Sequence, residues 1–182
     1  MQQTGMVRRI DELGRVVIPK EMRKTLRIKE GDPLEIYADK DHLVFKKYSP
    51  MTTINDYAEA VADGIEECTE KTCVVTDGDV VLYASKNKLK DCIGKPLSKE
   101  MEKILKERKS VAVSRLDGGT IIPIIDGEDF QSENQIIVPI ISSGGDCFGS
   151  IIVFDKDKSS VFNSNDIKFV QLGATFLSKQ FD

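Results

Sequence analysis

The sequence has few groups able to carry covalent chemistry. Its 182 residues include one histidine, His42, and four cysteines, Cys68, Cys73, Cys92 and Cys147, at separations of 5, 19 and 55 with no C-x-x-C pair. A zinc site usually needs four Cys or His ligands at short spacing, and a Ser–His or Cys–His nucleophile needs a histidine beside it in the fold. The expectation is therefore no enzyme, no metal and no cofactor, with the cysteines reduced and acting as small hydrophobes. Long apolar runs are also missing. The longest, Ile136–Ile141, is far short of the ~20 residues that cross a bilayer, and MQQTGMVRRI lacks the apolar core of a signal peptide, so a cytoplasmic protein without a membrane partner is expected. What is present, 40% apolar and 31% charged residues, describes an ordinary soluble chain of one domain or two small ones.

The net charge of -4 is unevenly spread. Residues 1–50 carry 11 Lys+Arg against 8 Asp+Glu, a balance of +3, while residues 51–182 carry 15 against 22, a balance of -7. Within residues 8–29, eight basic residues face only Asp11, Glu12 and Glu21. Such asymmetry suggests a basic binding unit attached to an acidic body.

Patterning changes at the same place, and the expected division is residues 1–50, a linker at 51–54, and a second domain over 55–182. In the first part MVRRID and RVVI read as strands around Leu13-Gly14, Pro19 opens a short helix over PKEMRKTL, and Gly31-Asp32-Pro33 breaks it. PLEIYAD and HLVFKKY alternate around Lys40-Asp41, with Leu34, Ile36 and Ala38 on one face and Glu35, Tyr37 and Asp39 on the other. Some 50 residues without disulfide or metal bury only a marginal core, which predicts an intertwined dimer. In the second part Thr53–Asp56 resembles a capping box ahead of a helix whose apolar residues are Ile54, Tyr57, Ala58, Val61, Ile65 and Cys68. Strands are expected at CVVTD, VVLYAS, SVAVSR, TIIPII, NQIIVPIIS and CFGSIIVFD, with helices over SKEMEKILKERK and NSNDIKFVQLGATFLSKQF and a hairpin at Gly144-Gly145-Asp146. This is an α+β domain with a mostly antiparallel sheet. Its last helix carries two apolar rows, Ile167, Val170, Ala174, Leu177, Phe181 and Phe169, Leu172, Phe176. One row packs on the sheet and the other predicts self-association.

Lys20, Arg23, Lys24 and Arg27 lie at i, i+3, i+4 and i+7, one face of a helix, with Met22 and Leu26 on another. Four like charges on one face repel unless neutralised, and phosphates would neutralise them. Arg8, Arg9 and Arg15 add charge nearby, and a two-fold dimer doubles the set into a surface suited to double-stranded DNA.

The run TGMVRRIDELGRVVIPKEMRKTLRIKEGDPLEIYADKDHLVFKKYSP, residues 4–50, resembles the AbrB-type DNA-binding domain of bacterial transition-state regulators, and the whole chain is similar to members that carry a C-terminal GAF domain. The resemblance implies a swapped-hairpin β-barrel dimer that binds promoter DNA, with GAF domains pairing to give a homotetramer, in a sporulation regulator (activator and repressor) of the forespore of a spore-forming bacterium. It carries DNA contact to Arg8, Arg15, Arg23 and Lys24. Family members often have Arg-Arg in this helix; Lys24 keeps the charge without the planar fork. Arg9, Lys20 and Arg27 join the set from geometry alone. Swapped-hairpin domains also occur in antitoxins, so an antitoxin-like protein-binding module is the alternative, and an effector-binding module with vestigial DNA affinity a third. GAF domains often hold a small ligand beside loops that here span 85–99 and 115–134, but no motif names an effector. Lys86, Lys88, Lys90, Lys95 and Lys99 read as a solvated loop in preference to an anion cradle, and Asp126, Glu128, Asp129 and Glu133 lack EF-hand spacing.

Overall fold

Period-2 alternation builds the larger sheet and fixes what lies on each side of it. The computed structural model describes residues 5–85, 87–128, 130–158 and 162–181, without the side chains of Asn87 and Lys88. Lys86 and Asp129, and the side chain of Lys88, lie outside the described residues. Chain contacts divide the protein into two units, Met1–Tyr48 and Ser49–Asp182.

The second unit begins with a 3-10 turn, Pro50–Ile54, leading into α2, Asn55–Thr69 (α1 belongs to the first unit). The strands are β3 Thr72–Asp77, β4 Val81–Ala84, β5 Val111–Ser114, β6 Asn134–Ile141 and β7 Cys147–Asp155. They form one antiparallel sheet in the order β4-β3-β7-β6-β5. α3, Lys99–Glu107, and α4, Ser164–Ser178, complete the α+β architecture. Because successive side chains face opposite ways, Cys73, Val75, Ile136, Val138, Ile140, Ile151 and Val153 pack with α2 and α4 on one face. Val74, Ile137, Ile152 and Phe154 pack with α3 and the loops on the other. Each fully buried Ile, Leu or Phe in these layers contributes about 1.5–3 kcal/mol.

Two glycines allow close approaches. A Cβ at Gly149 in β7 would lie 1.9 Å from the Thr76 carbonyl oxygen, and one at Gly173 in α4 would lie 2.8 Å from Val61 Cγ1 of α2. The hairpin joining β6 and β7 turns at Gly145, φ 89°, with the Gly145 N–H donating to Ser142 O and the Ser142 N–H to Asp146 O.

Several expectations are corrected. Residues 51–54 are no free linker, since Met51 and Ile54 are buried in the core, and Ser49 Oγ donates to buried Asp77 at 2.9 Å. The capping box at Thr53 is absent: the N-cap of α2 is Ile54, without a side-chain bond, and the preceding 3-10 turn leads into the helix instead. α2 buries Ala62, while Tyr57 and Cys68 stay exposed. TIIPII is not a strand. Its Ile122 is paired, through both N–H and C=O, by the side-chain amide of Gln135 at 3.0 Å, which takes the place of a backbone partner. The unforeseen capping box opens α4, where Asn163 accepts from the N–H of Asp166 and Asp166 accepts from the N–H of Asn163.

Candidate nucleic-acid interface

In the first unit, Pro19 sets the start of α1, Lys20–Thr25, as its N-cap, one position before the expected place. The helix is short because it ends in a Schellman motif: the Ile28 N–H donates to Arg23 O and the Arg27 N–H to Lys24 O. That closure puts Arg27 at φ 53°, the left-handed region. Arg27 therefore leaves the helix face on which the i, i+7 count placed it, and it is half-buried, while Lys20, Arg23 and Lys24 stay on α1 and exposed.

Upstream, Asp11 builds the turn that positions Arg15. Its Oδ1 accepts the N–H groups of Leu13 (3.0 Å) and Arg15 (2.8 Å), and its Oδ2 accepts Arg15 Nε at 2.7 Å. Gly14 supplies φ 77°. The bonds from the Arg15 backbone and then its side chain hold the Asp11 carboxyl below its ordinary value. Arg15 thus has its Nε fixed, while its side chain remains 70% exposed. Asp11 was not foreseen as part of this site; the signal available was an Asp three residues before a Gly, the pattern of a side-chain-closed turn. Arg8 and Arg9 precede this turn and are exposed.

β1, Leu34–Asp39, and β2, His42–Lys47, form a two-stranded antiparallel hairpin with Leu34 opposite Lys47 and Asp39 opposite His42. Lys40, φ 52°, starts the expected turn. The hairpin base is tied by Asp32, which accepts the Lys29 N–H at 2.7 Å and pairs with Lys47 at 2.9 Å. Partial burial opposes the charged form of Asp32, but these bonds outweigh it and hold the carboxyl below its ordinary value.

The unit has almost no interior. Pro19 is the one buried residue among its described residues, while Val7 is 95% exposed, Leu13 75% and Val17 74%. The apolar face of the hairpin, including Ile36 and Leu43, is likewise open. MVRRID and RVVI, expected as strands, are not strands here: a strand needs an edge to pair with, and these segments share only the turn at Asp11–Arg15.

Among the described residues, the lysines and carboxylates singled out in the second unit do not gather into one site. Lys95 pairs with Glu128 at 2.5 Å, and Lys90, Lys99 and Asp126 are exposed. GGDCFG forms the turn between β6 and β7 and the start of β7; the motif is a hairpin and not a phosphate loop.

The second unit has the fold of GAF domains: over 72% of this chain it superposes on 93% of the GAF domain of an Acinetobacter phosphoenolpyruvate-protein phosphotransferase with a TM-score of 0.52 at 12% identity. Over 78 residues, 43% of this chain and 81% of its relative, the chain is 45% identical to the transition state regulatory protein AbrB of Bacillus subtilis (strain 168). The family description "Antidote-toxin recognition MazE, bacterial antitoxin" matches residues 7–52. An AbrB-type unit followed by a GAF-type unit defines a two-domain class of transcription regulator. Residues 53–182 match "Stage V sporulation protein T C-terminal, transcription factor", and all of the chain aligns with 99% of stage V sporulation protein T of Bacillus subtilis (strain 168) at 38% identity. The chain belongs to the stage V sporulation protein T family.

Proposed function

We propose that this protein regulates sporulation genes by binding promoter DNA through an interleaved dimer of its N-terminal unit, with Arg8, Arg9, Arg15, Lys20, Arg23 and Lys24 as the DNA-facing set and Arg27 set apart from them by the turn that closes α1. The observation that carries the reading is the pairing of exposed cations with an unburied apolar unit. Val7, Ile10, Val16 and Val17 cannot stay in water at no cost, and a second copy supplies both the missing strand edges and the missing core. Residues 1–48 then act as the reading head, and residues 49–182 as the regulatory and assembly half of a non-enzymatic protein.

The same logic applies to α4. Val170, Ala174 and Leu177 are buried, whereas Phe169, Leu172 and Phe176 are exposed, with Tyr57 of α2 stacking edge-on against Phe176 at 6.0 Å. This stripe is the surface through which GAF units pair, giving a homotetramer in the cytoplasm of the forespore. An effector acting on the GAF half would tune assembly or DNA affinity.

Titration of full-length protein with promoter-length duplex at several salt concentrations tests the reading. A dimer neutralising about 5 to 8 phosphates gives a slope of log K against log salt of about -4 to -7. Light scattering on the same sample should report four chains; a flat salt response refutes DNA binding by this surface. The antitoxin reading draws on the match over residues 7–52. It requires stoichiometric capture of a protein partner, and the folded second unit stands against it, since such antitoxins usually end in a disordered toxin-binding tail.

A further inference from the structure

We propose that a cleft on the loop-covered face of the second unit binds a small amphipathic carboxylate, a monoanion with an apolar body of roughly five or six heavy atoms. This deepens the reading of that unit as the effector half and rests on it. The cleft has two connected chemistries. Its inner part, about 220 Å³, is lined chiefly by Ile121, Ile122, Ile124 and Phe130, with Arg115 at its wall. Arg115 and Ser132 also line an adjoining hollow of about 440 Å³, bordered by Lys156 and Lys158.

Charge decides the sign of the ligand. Two carboxylates line these spaces, Glu128 and Glu133, against Arg115, Lys156 and Lys158. Glu128 is already neutralised by Lys95, so the mouth is left net positive. Arg115 is anchored by its backbone N–H to Glu133 O at 2.9 Å and by Nε to Ser132 O at 3.1 Å. The donors on its terminal nitrogens suit the two oxygens of a carboxylate.

Polarity within the inner part decides the shape of the ligand. The Gln135 amide is closed on both backbone groups of Ile122, and Ser132 Oγ donates to Asn134 O. Those polar groups are already partnered, so the inner end selects an apolar body and leaves the ligand's polarity at the Arg115 end. The inner volume is below that of common ligand pockets, which sets the small size.

The test uses full-length protein with 4-methylpentanoate, its primary amide and acetate as probes, read by calorimetry and by the thermal transition of the second unit. Expected are saturable binding and stabilisation by 4-methylpentanoate, with the amide and acetate each weaker by about tenfold. Arg115→Gln should abolish the preference for carboxylate over amide while leaving probe-free DNA binding at the parental level. If that variant does not fold, the exposed pair Lys156→Gln, Lys158→Gln should weaken carboxylate binding several-fold. Failure of 4-methylpentanoate to bind at about 10 mM with DNA binding intact, or equal binding of acid and amide, overturns this proposal alone. Loss of DNA binding by the parent protein would instead overturn the regulator reading.

Discussion

Replacing Arg15 and Arg23 together by alanine isolates the electrostatic part of DNA binding. Both positions should tolerate truncation without loss of fold. The carboxylate of Asp11 still accepts the backbone N–H groups of residues 13 and 15, and the Schellman closure uses the backbone carbonyl of residue 23, not its side chain. In a dimer the double variant removes four cations. If each neutralises one phosphate, the slope of log K against log salt becomes shallower by about 3.6, and at 0.15 M ionic strength affinity falls by about three orders of magnitude, or about 4 kcal/mol. Fluorescence anisotropy of a labelled duplex between roughly 50 and 300 mM salt measures both quantities, with light scattering to verify that the variant keeps its mass. Parent and variant lines that run parallel would refute the assignment, because lost phosphate contacts must change the number of counterions released. Arg15→Lys with Arg23→Lys should restore most of the slope but not all of the affinity, since lysine keeps the charge without the planar fork.

Gly149→Ala should destabilise the second unit by more than about 3 kcal/mol and lower its thermal midpoint by about 10 °C, measured by calorimetry, because the added Cβ meets backbone in β3 and no rotamer relieves it. Leu172→Glu, at a side chain 67% exposed, should lower the assembled mass seen by light scattering while leaving the unit's folding within about 0.5 kcal/mol. Acid should weaken the first unit. Asp32 is held below its ordinary value of 3.8, so its stabilisation is present above the unfolded value and is lost as pH falls through the folded one. Asp32→Asn should therefore be less stable than the parent at pH 7 in denaturant unfolding, and the difference should vanish once the pH has fallen below the folded value of Asp32.

The sheet of the second unit was legible because nearly every strand obeys period 2 and both faces are covered. Val74 and Val75 go to opposite cores as alternation demands, and β6 and β7 follow the same rule. In the same unit, two predictions failed where local hydrogen bonding that no hydrophobic pattern shows took over. TIIPII has the composition of a strand, yet Gln135 satisfies Ile122 with an amide that no pattern of hydrophobicity reveals. Likewise Thr53 has the residue type of an N-cap, but the 3-10 turn that buries Met51 and Ile54 leads into α2 first.

In the first unit the failures have a common cause and are informative for that reason. MVRRID and RVVI carry strand signals, and the apolar residues that alternate along them are exposed in the single chain, Val7 and Val17 most of all. A propensity for strand without a ladder, joined to an apolar face without a cover, is what the proposed pairing with a second copy accounts for. Arg27 differs. Its displacement from the helix face follows from local hydrogen bonding, because the turn closing α1 needs a left-handed residue and takes Arg27 where glycine is usual. The basic surface was therefore readable as composition at every position but as geometry only as far as Lys24. Beyond it, the backbone closure and not the 3.6-residue period decides where the charge lies.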